Sequence, residues 1–516
     1  MEKKFKTLDC TLRDGGYYTN WDFNKDLVHD YCRAIEVLPI EYVEIGYRSI
    51  PLNGYLGEYF YCPEHVMAEL KALMPSKKLA IILNEKDIRG HHVEDLLKPC
   101  LKYIAMVRIA IDPKNFKRAI ELAKAVKLMG FEVAFNVMYM SNWKQDSDFL
   151  NDLEGLEDTI DYFYMVDSFG GIMPNDVVDI MTLVKSKTNV KLGFHGHNNL
   201  EMALINTITS INEGCEIVDC TITGMGRGAG NLKTELFLTY LNKAKNIEIE
   251  YTKLGKVVAS FEDMKKKHGW GTNLPYMFSG AFSLPQKQVM EWVGMNRYPM
   301  SSVVNALKNQ KEDIEDNFKL PILEKEERFY KTTIILGGGK SARNHNTAIK
   351  KLIKKEKSVC LIHAGARNVS DYLDVKCDQF YALSGFESEK LLSNINDHTK
   401  LSQTCIYPPF PRVMGTVIPK EIKSISKELS SISFTKSSTE SPLTIAIQIG
   451  LDLGVHNVYL VGFDGYDALI NQTQQILAQE NQAIINDLLL IKNLNVLALT
   501  PTKYKNLSTS SIHSLI

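Results

Sequence analysis

The nine cysteines of this 516-residue chain never form a Cys-x-x-Cys pair. Odd in number and scattered, they read as core thiols in a reducing compartment rather than a disulfide framework. No uninterrupted apolar run reaches bilayer-spanning length, and Met1-Glu2-Lys3-Lys4-Phe5-Lys6 lacks the apolar stretch of a secretory signal, so a cytoplasmic location with no membrane partner is expected. Charge of one sign is also missing. Sixty basic against sixty-one acidic residues leave a formal net charge of -1, which argues against nucleic acid as the main partner.

What is present, over the first 245 residues, is alternation. Short apolar runs occur at Phe5 to Leu12, Tyr42 to Gly46, Leu79 to Leu83, Tyr103 to Ala110, Glu132 to Met138, Tyr162 to Asp167, Lys191 to His195 and Ile217 to Thr223. Longer amphipathic segments separate them, such as Pro113 to Met129, which Gly130 ends, and Pro174 to Lys187. Eight such units predict a (β/α)₈ barrel, whose catalytic groups lie at the strand C-termini. The polar residues fall there: Arg13 and Asp14, Glu44, Asn84, Arg108, Asn136, Asp167 and Ser168, then His195 and His197. An open doubly wound sheet would not explain why every strand ends in a polar group.

His195-Gly196-His197 puts two imidazoles on one face of a strand end, since positions i and i+2 share a side. With a carboxylate from the first strand they make a divalent-metal site with open positions. The adjacent His91-His92 lies in a polar helix start and reads as solvated surface. An α-keto acid can fill such open positions through its carboxylate and carbonyl oxygens. Arg13 would then share with the metal the charge that develops on that carbonyl during carbon–carbon cleavage. Mixed nitrogen and oxygen ligation suits Mg²⁺ or Mn²⁺ first, and Co²⁺ or Zn²⁺ after them.

Four segments, Thr11-Leu12-Arg13-Asp14-Gly15, Val43-Glu44-Ile45-Gly46, His195 to Leu200 and Gly224 to Asn231, resemble the metallolyase family of TIM barrels in order and spacing. That family includes 4-hydroxy-2-oxovalerate aldolase, hydroxymethylglutaryl-CoA lyase and the isopropylmalate and homocitrate synthases. The resemblance implies that Asp14, His195 and His197 bind the metal, with Asn231 adding an oxygen or an outer contact. It also implies that Arg13 stabilises the enolate, that Glu44 is the strand-2 carboxylate near the metal, and that Gly224 to Gly230 folds over the site. The acyl-CoA-condensing members continue after Arg-Asp-Gly with Glu-Gln, whereas Gly16-Tyr17-Tyr18 follows here, closer to the aldolases. Those aldolases carry a basic histidine where Tyr17 stands. Tyr17, Tyr18 or a metal-bound hydroxide are therefore the candidates for the base, and Tyr17 could equally be a packing ring. Relatives of this kind commonly form homo-oligomers.

Residues 246 to 328 read as a helical extension and linker, and 329 to 516 as a Rossmann-like α/β domain. Within the extension, Tyr276 reads as a buried aromatic ahead of a site residue, and Leu284-Pro285 replaces a His-Pro pair expected from the relatives. In the last part, strands are expected at Thr332 to Leu336, Val359 to His363, Gln379 to Leu383, Val458 to Val461 and Leu494 to Thr500, with a helix over Asn346 to Lys355. Gly337-Gly338-Gly339-Lys340-Ser341 is not a P-loop, because Ile334 stands where its first glycine belongs. The segment Ser441 to Tyr466 resembles the Rossmann-like domains of the pterin diphosphokinase-like and sialyltransferase-like group, which makes Gly337, Gly338, Gly339 and Asp464 candidate contacts to a nucleotide or nucleotide-sugar, with tight turns at strand ends as the equal alternative. The expectation for the whole is a divalent-metal aldolase acting on a 2-oxo acid and an aldehyde, fused to a nucleotide- or sugar-handling domain, as carbohydrate biosynthesis would use. An acyl-CoA-dependent Claisen-type enzyme and a non-catalytic metal-binding scaffold are the alternatives.

Overall fold

The computed structural model describes residues 4–316, 318–324, 330–395, 403–466 and 472–516. Two compact units divide between Met290 and Glu291. The helices Tyr251–His268 and Leu274–Ala281 belong with the first, and Met300–Glu312 with the second. Among the described residues no helix is long and apolar enough to cross a membrane.

In the first unit β1 (Lys6–Asp9), β2 (Tyr42–Tyr47), β3 (Lys78–Asn84), β4 (Ile104–Ile111), β5 (Glu132–Val137), β6 (Tyr162–Asp167), β7 (Lys191–Gly196) and β8 (Ile217–Cys220) close into a parallel barrel. The expected (β/α)₈ fold is present. Its strands are buried on both faces, which is why they read as apolar runs rather than alternating ones. Period-two alternation still sorts the side chains. Leu8, Tyr42, Met106, Ala134, Tyr162 and Ile217 form part of an inner apolar cluster, and two residues further along their strands stand Glu44, Arg108, Asn136, Tyr164 and Asp219. The barrel interior thus changes from apolar to polar toward its C-terminal mouth.

Two strand ends differ from the sequence reading. Thr11 and Leu12, expected to finish the first strand, begin the helix Thr11–Thr19, so Arg13 and Asp14 sit in a first helical turn directly above β1. The pair Gly15-Gly16 permits this close docking: a Cβ on Gly15 would stand 2.5 Å from Met225 Sδ, and one on Gly16 would stand 2.1 Å from the Trp21 indole. At the other end β8 stops at Cys220, and Thr223 lies in a short turn with φ +54°.

The second unit is an α/β domain around β9 (Thr332–Leu336), β10 (Val359–Ala364), β11 (Asp378–Ala382), β12 (Thr404–Tyr407), β13 (Ser426–Glu428), β14 (Asn457–Val461) and β15 (Asn495–Ala498). All pairings are parallel, in the order β13-β12-β11-β10-β9-β14-β15, so the direction of winding reverses at β9. The helix Asn346–Lys355 follows β9 where its pattern placed it. Pro442 opens the helix Pro442–Asp452, whose residues Leu443 to Gly450 are all buried. β12 and β13 escaped the sequence reading because Thr-Cys-Ile-Tyr and Ser-Lys-Glu are too short to carry a periodic signal.

Candidate metal centre

β7 ends with His195 inside the barrel, and His197 follows at the rim, the two ring centroids 5.0 Å apart. Each imidazole has one nitrogen already committed. His195 Nδ1 lies 2.8 Å from Asp219 Oδ2 of β8, and His197 Nδ1 lies 2.7 Å from the Asp167 carbonyl oxygen. A carboxylate and a carbonyl can only accept, so both rings donate from Nδ1 and present Nε2 as a lone pair. Metal-binding histidines are oriented in this way. His195 Nε2 stands 3.9 Å from Asp14 Oδ2. Burial, and then the neighbouring His195, push His197 down to about 3, which keeps its lone pair available at neutral pH.

Burial alone would raise Asp14, but Arg13 foremost and then His195 outweigh it and hold the carboxyl below its ordinary range. Asn231 Nδ2 donates to Asp14 Oδ2 at 2.7 Å, while Asn231 Oδ1 is buried without a hydrogen-bond partner. A glycine-rich turn places this amide. Asn231 N donates to the Gly224 carbonyl at 3.0 Å, and a Cβ at Gly230, whose φ is +77°, would come within 2.1 Å of that same oxygen.

Behind the donors lies a buried charge network. Arg13 donates from Nη1 to Asp14 and from Nε to Glu44 Oε2 at 2.6 Å. Arg108 pairs with the same Glu44 oxygen at 3.2 Å and with Asp219 Oδ2 at 2.5 Å, donates to Asn136 Oδ1 at 2.9 Å, and stacks on the Tyr164 ring. Two guanidiniums thus clamp three buried carboxyl groups, and Arg227 adds a further positive charge that acts on Asp14. Asp14, His195, His197 and Asn231 thus fit a divalent ion by their donor chemistry and by the orphaned Asn231 oxygen.

A second grouping, Cys10, His195 and Asp219, also places its donor atoms within 4.8 Å of one another. It is the poorer site. Burial, and then the charges of Asp14 and Asp219, push the Cys10 thiol well up, and Asp219 Oδ2 is already shared by Arg108 and His195. Cys10 instead donates to Asp14 Oδ2 at 3.5 Å.

The structure brings Arg13, Asp14, Glu44, His195, His197 and Asn231 to one mouth. Glu44 serves there as the clamp of two arginines. Tyr17 shares the helix of Arg13 and Asp14; its hydroxyl pairs with that of Tyr47 at 2.8 Å, its ring edge meets Trp21, and Arg227 lies 4.4 Å over its face. Tyr18 packs at a tilt against Trp270, and burial pushes its phenol up, away from service as a base. Tyr276 is buried as expected. Asp219 and the pairing role of Arg108 were missed. An aspartate inside Ile217-Val218-Asp219-Cys220 was the available signal, a charge in an otherwise apolar strand.

Gly337, Gly338, Gly339 and Asp464 lie together in the second unit. Gly337 N donates to the Val461 carbonyl and Gly339 N to that of Gly462, both at 2.8 Å. Asp464 accepts from Ser341 N at 3.0 Å and from the Ser341 hydroxyl. The Gly337, Gly339 and Ser341 amides are thus engaged within the unit, and a carboxylate stands at the helix start.

The HMGL-like family model matches residues 102–260. A solved N-terminal domain, titled as that of a candidate aldolase from Bacteroides vulgatus, is 51% identical and covers 58% of this chain and 100% of its own, with a TM-score of 0.56. The chain belongs to the HMGL-like family of TIM-barrel metallolyases. Among curated relatives of this HMGL-like chain, the oxaloacetate decarboxylase of Mycobacterium tuberculosis is 26% identical over 237 residues, 46% of this chain and 69% of that protein. The 4-hydroxy-2-oxovalerate aldolase of Carboxydothermus hydrogenoformans is 28% identical over 247 residues, 47% of this chain and 72% of that protein. Its counterpart in Pectobacterium atrosepticum is 29% identical over 249 residues, 47% and 71% respectively.

Proposed function

We propose that the barrel is a divalent-metal-dependent aldolase that makes or cleaves a carbon–carbon bond next to a 2-oxo acid. The observation that carries this reading is the convergence of two Nδ1-anchored histidines, an ionised aspartate and an unsatisfied asparagine oxygen beside a clamped arginine. A divalent cation held by Asp14, His195, His197 and Asn231 would supply Lewis acidity toward the carboxylate and carbonyl oxygens of the 2-oxo acid. The names of the relatives concern 2-oxo acids, which supports that substrate class.

Arg13 is the residue positioned to stabilise the developing charge. Held by Asp14 on one side and Glu44 on the other, its guanidinium cannot swing away, so little reorganisation is needed when the carbonyl oxygen gains negative charge. Arg108 keeps Glu44 and Asp219 in place, and through Asp219 it fixes the plane of His195. In this reading Tyr17 carries the proton. Its hydroxyl is paired with that of Tyr47 and its ring lies under the Arg227 cation, and the hydroxyl pair is a route for a proton to and from a substrate hydroxyl.

Pyruvate in deuterated water tests the reading. Purified protein with Mg²⁺ or Mn²⁺ is expected to exchange the pyruvate methyl protons, followed by NMR, and to stop when the metal is chelated. Absence of metal-dependent exchange would remove the mechanism.

A further inference from the structure

The loops that follow β7 and β8 and the segment 265–273 line an open-sided cavity of about 410 Å³ in the barrel unit. That lies within the roughly 300–1,000 Å³ that small-molecule sites occupy. Asn231 forms part of its wall while its side chain holds Asp14, so the cavity adjoins the metal centre through one residue. The remaining wall is polar, with Asn198, Thr272 and Asn273 beside two lysines, Lys233 and Lys265.

Those lysines are weakly paired. Lys233 is half-buried; its carbonyl accepts from Phe237 N, and the carboxylate that feels its charge is Glu235, two residues on. Lys265 reaches only Glu262 of its own helix, at 3.8 Å. Glu201 also lines the cavity but is solvent-exposed, so its charge is screened. Half-buried lysines with only weak counter-charge gain from an anion, and the loops after strands 7 and 8 of such barrels are a common place for phosphate to dock.

We propose that this cavity is a subsite for an anionic group, a phosphate or a carboxylate, carried by the aldehyde-side fragment of the substrate, with Lys233 as its principal contact and Lys265 as the second. The proposal rests on the aldolase reading. Under it, the 2-oxo acid's own carboxylate belongs at the metal and Arg13, which leaves the lysine cavity for the far end of the other fragment.

The test compares three aldehydes condensed with pyruvate: glyceraldehyde 3-phosphate, succinic semialdehyde and propionaldehyde. The protein is expected to favour one of the charged aldehydes over propionaldehyde by roughly 10- to 100-fold in kcat/KM, the worth of one charge-assisted contact. Which one it favours identifies the anion. Lys233→Gln is expected to remove that preference through KM, with propionaldehyde turnover unchanged, and Lys233→Arg to restore part of it. Equal kcat/KM for all three aldehydes, or an equal loss on all three in Lys233→Gln, would overturn the subsite. Pyruvate methyl exchange without aldehyde separates the two ideas, because it needs the metal centre and not the cavity. Should exchange fail, calorimetry with inorganic phosphate and with succinate decides. Binding of either that Lys233→Gln loses keeps the anion site, and binding of neither removes it.

Discussion

Both compact units bury histidines with one ring nitrogen committed, and they differ in where the other nitrogen points. In the barrel, His195 and His197 donate from Nδ1, and His195 turns Nε2 toward Asp14, with Asn231 and its unpaired oxygen alongside. In the second unit His363 donates from Nε2 to Gln379 Oε1 at 2.8 Å, the Gln379 amide being engaged by the Tyr372 and Val375 carbonyls, and its unpartnered Nδ1 lies in a ring packed on Tyr381. Similar committed geometry therefore gives a metal-ready group in one place and a structural one in the other. What separates them is convergence of unsatisfied donors with opposite charge. In the glycine turn, too, the Gly337 and Gly339 amides and Asp464 find partners within the unit.

The strongest way to break this contrast is at the barrel histidines. His195→Ala is expected to abolish measurable metal binding and lower pyruvate exchange by on the order of 10³-fold, read by metal analysis and NMR. Asp219→Asn comes next: with the His195 anchor weakened and Arg108 deprived of its carboxylate, metal affinity should fall roughly 10- to 100-fold in calorimetry. Retained affinity there would show that the buried network does not orient the ligand.

In the second unit, burial depresses His363 to about 4. Its unfolded counterpart, near 6.5, takes up a proton first as pH falls, so stability from the neutral native ring is complete above about 6.5 and is lost progressively down to about 4, by a few kcal/mol in all. His363→Gln should flatten that acid limb in denaturant titrations from pH 7 to 4. The smallest effect is expected from Asp464→Asn, which weakens a helix-start contact by roughly 0.5–2 kcal/mol and leaves pyruvate exchange unchanged.

Much of the barrel was legible because parallel strands buried on both faces leave apolar runs that stop at polar residues. The pair His195 and His197 was legible for the same reason, being two positions apart on one strand end. Thr11 and Leu12 misled because the chain enters a helix there with no turn residue to mark the change. The Arg108 to Asp219 contact spans 111 residues, and its closure depends on barrel register rather than on local pattern. At Gly337 and Gly339 the Gly462 carbonyl leaves no room for a Cβ, and glycine alone does not say whether a ligand or the protein's own backbone fills the space.

Asn231 has one further consequence. Its amide touches the carboxylate proposed to bind metal, the same residue walls the lysine cavity, and the turn that holds it is tied to the extension by the Gly271 N to Gly228 O bond of 3.0 Å. Cation and anion would then be linked ligands. By reciprocity, whatever factor the anion imposes on cation affinity through this residue, the cation imposes on the anion, so the two binding events would share one coupling free energy.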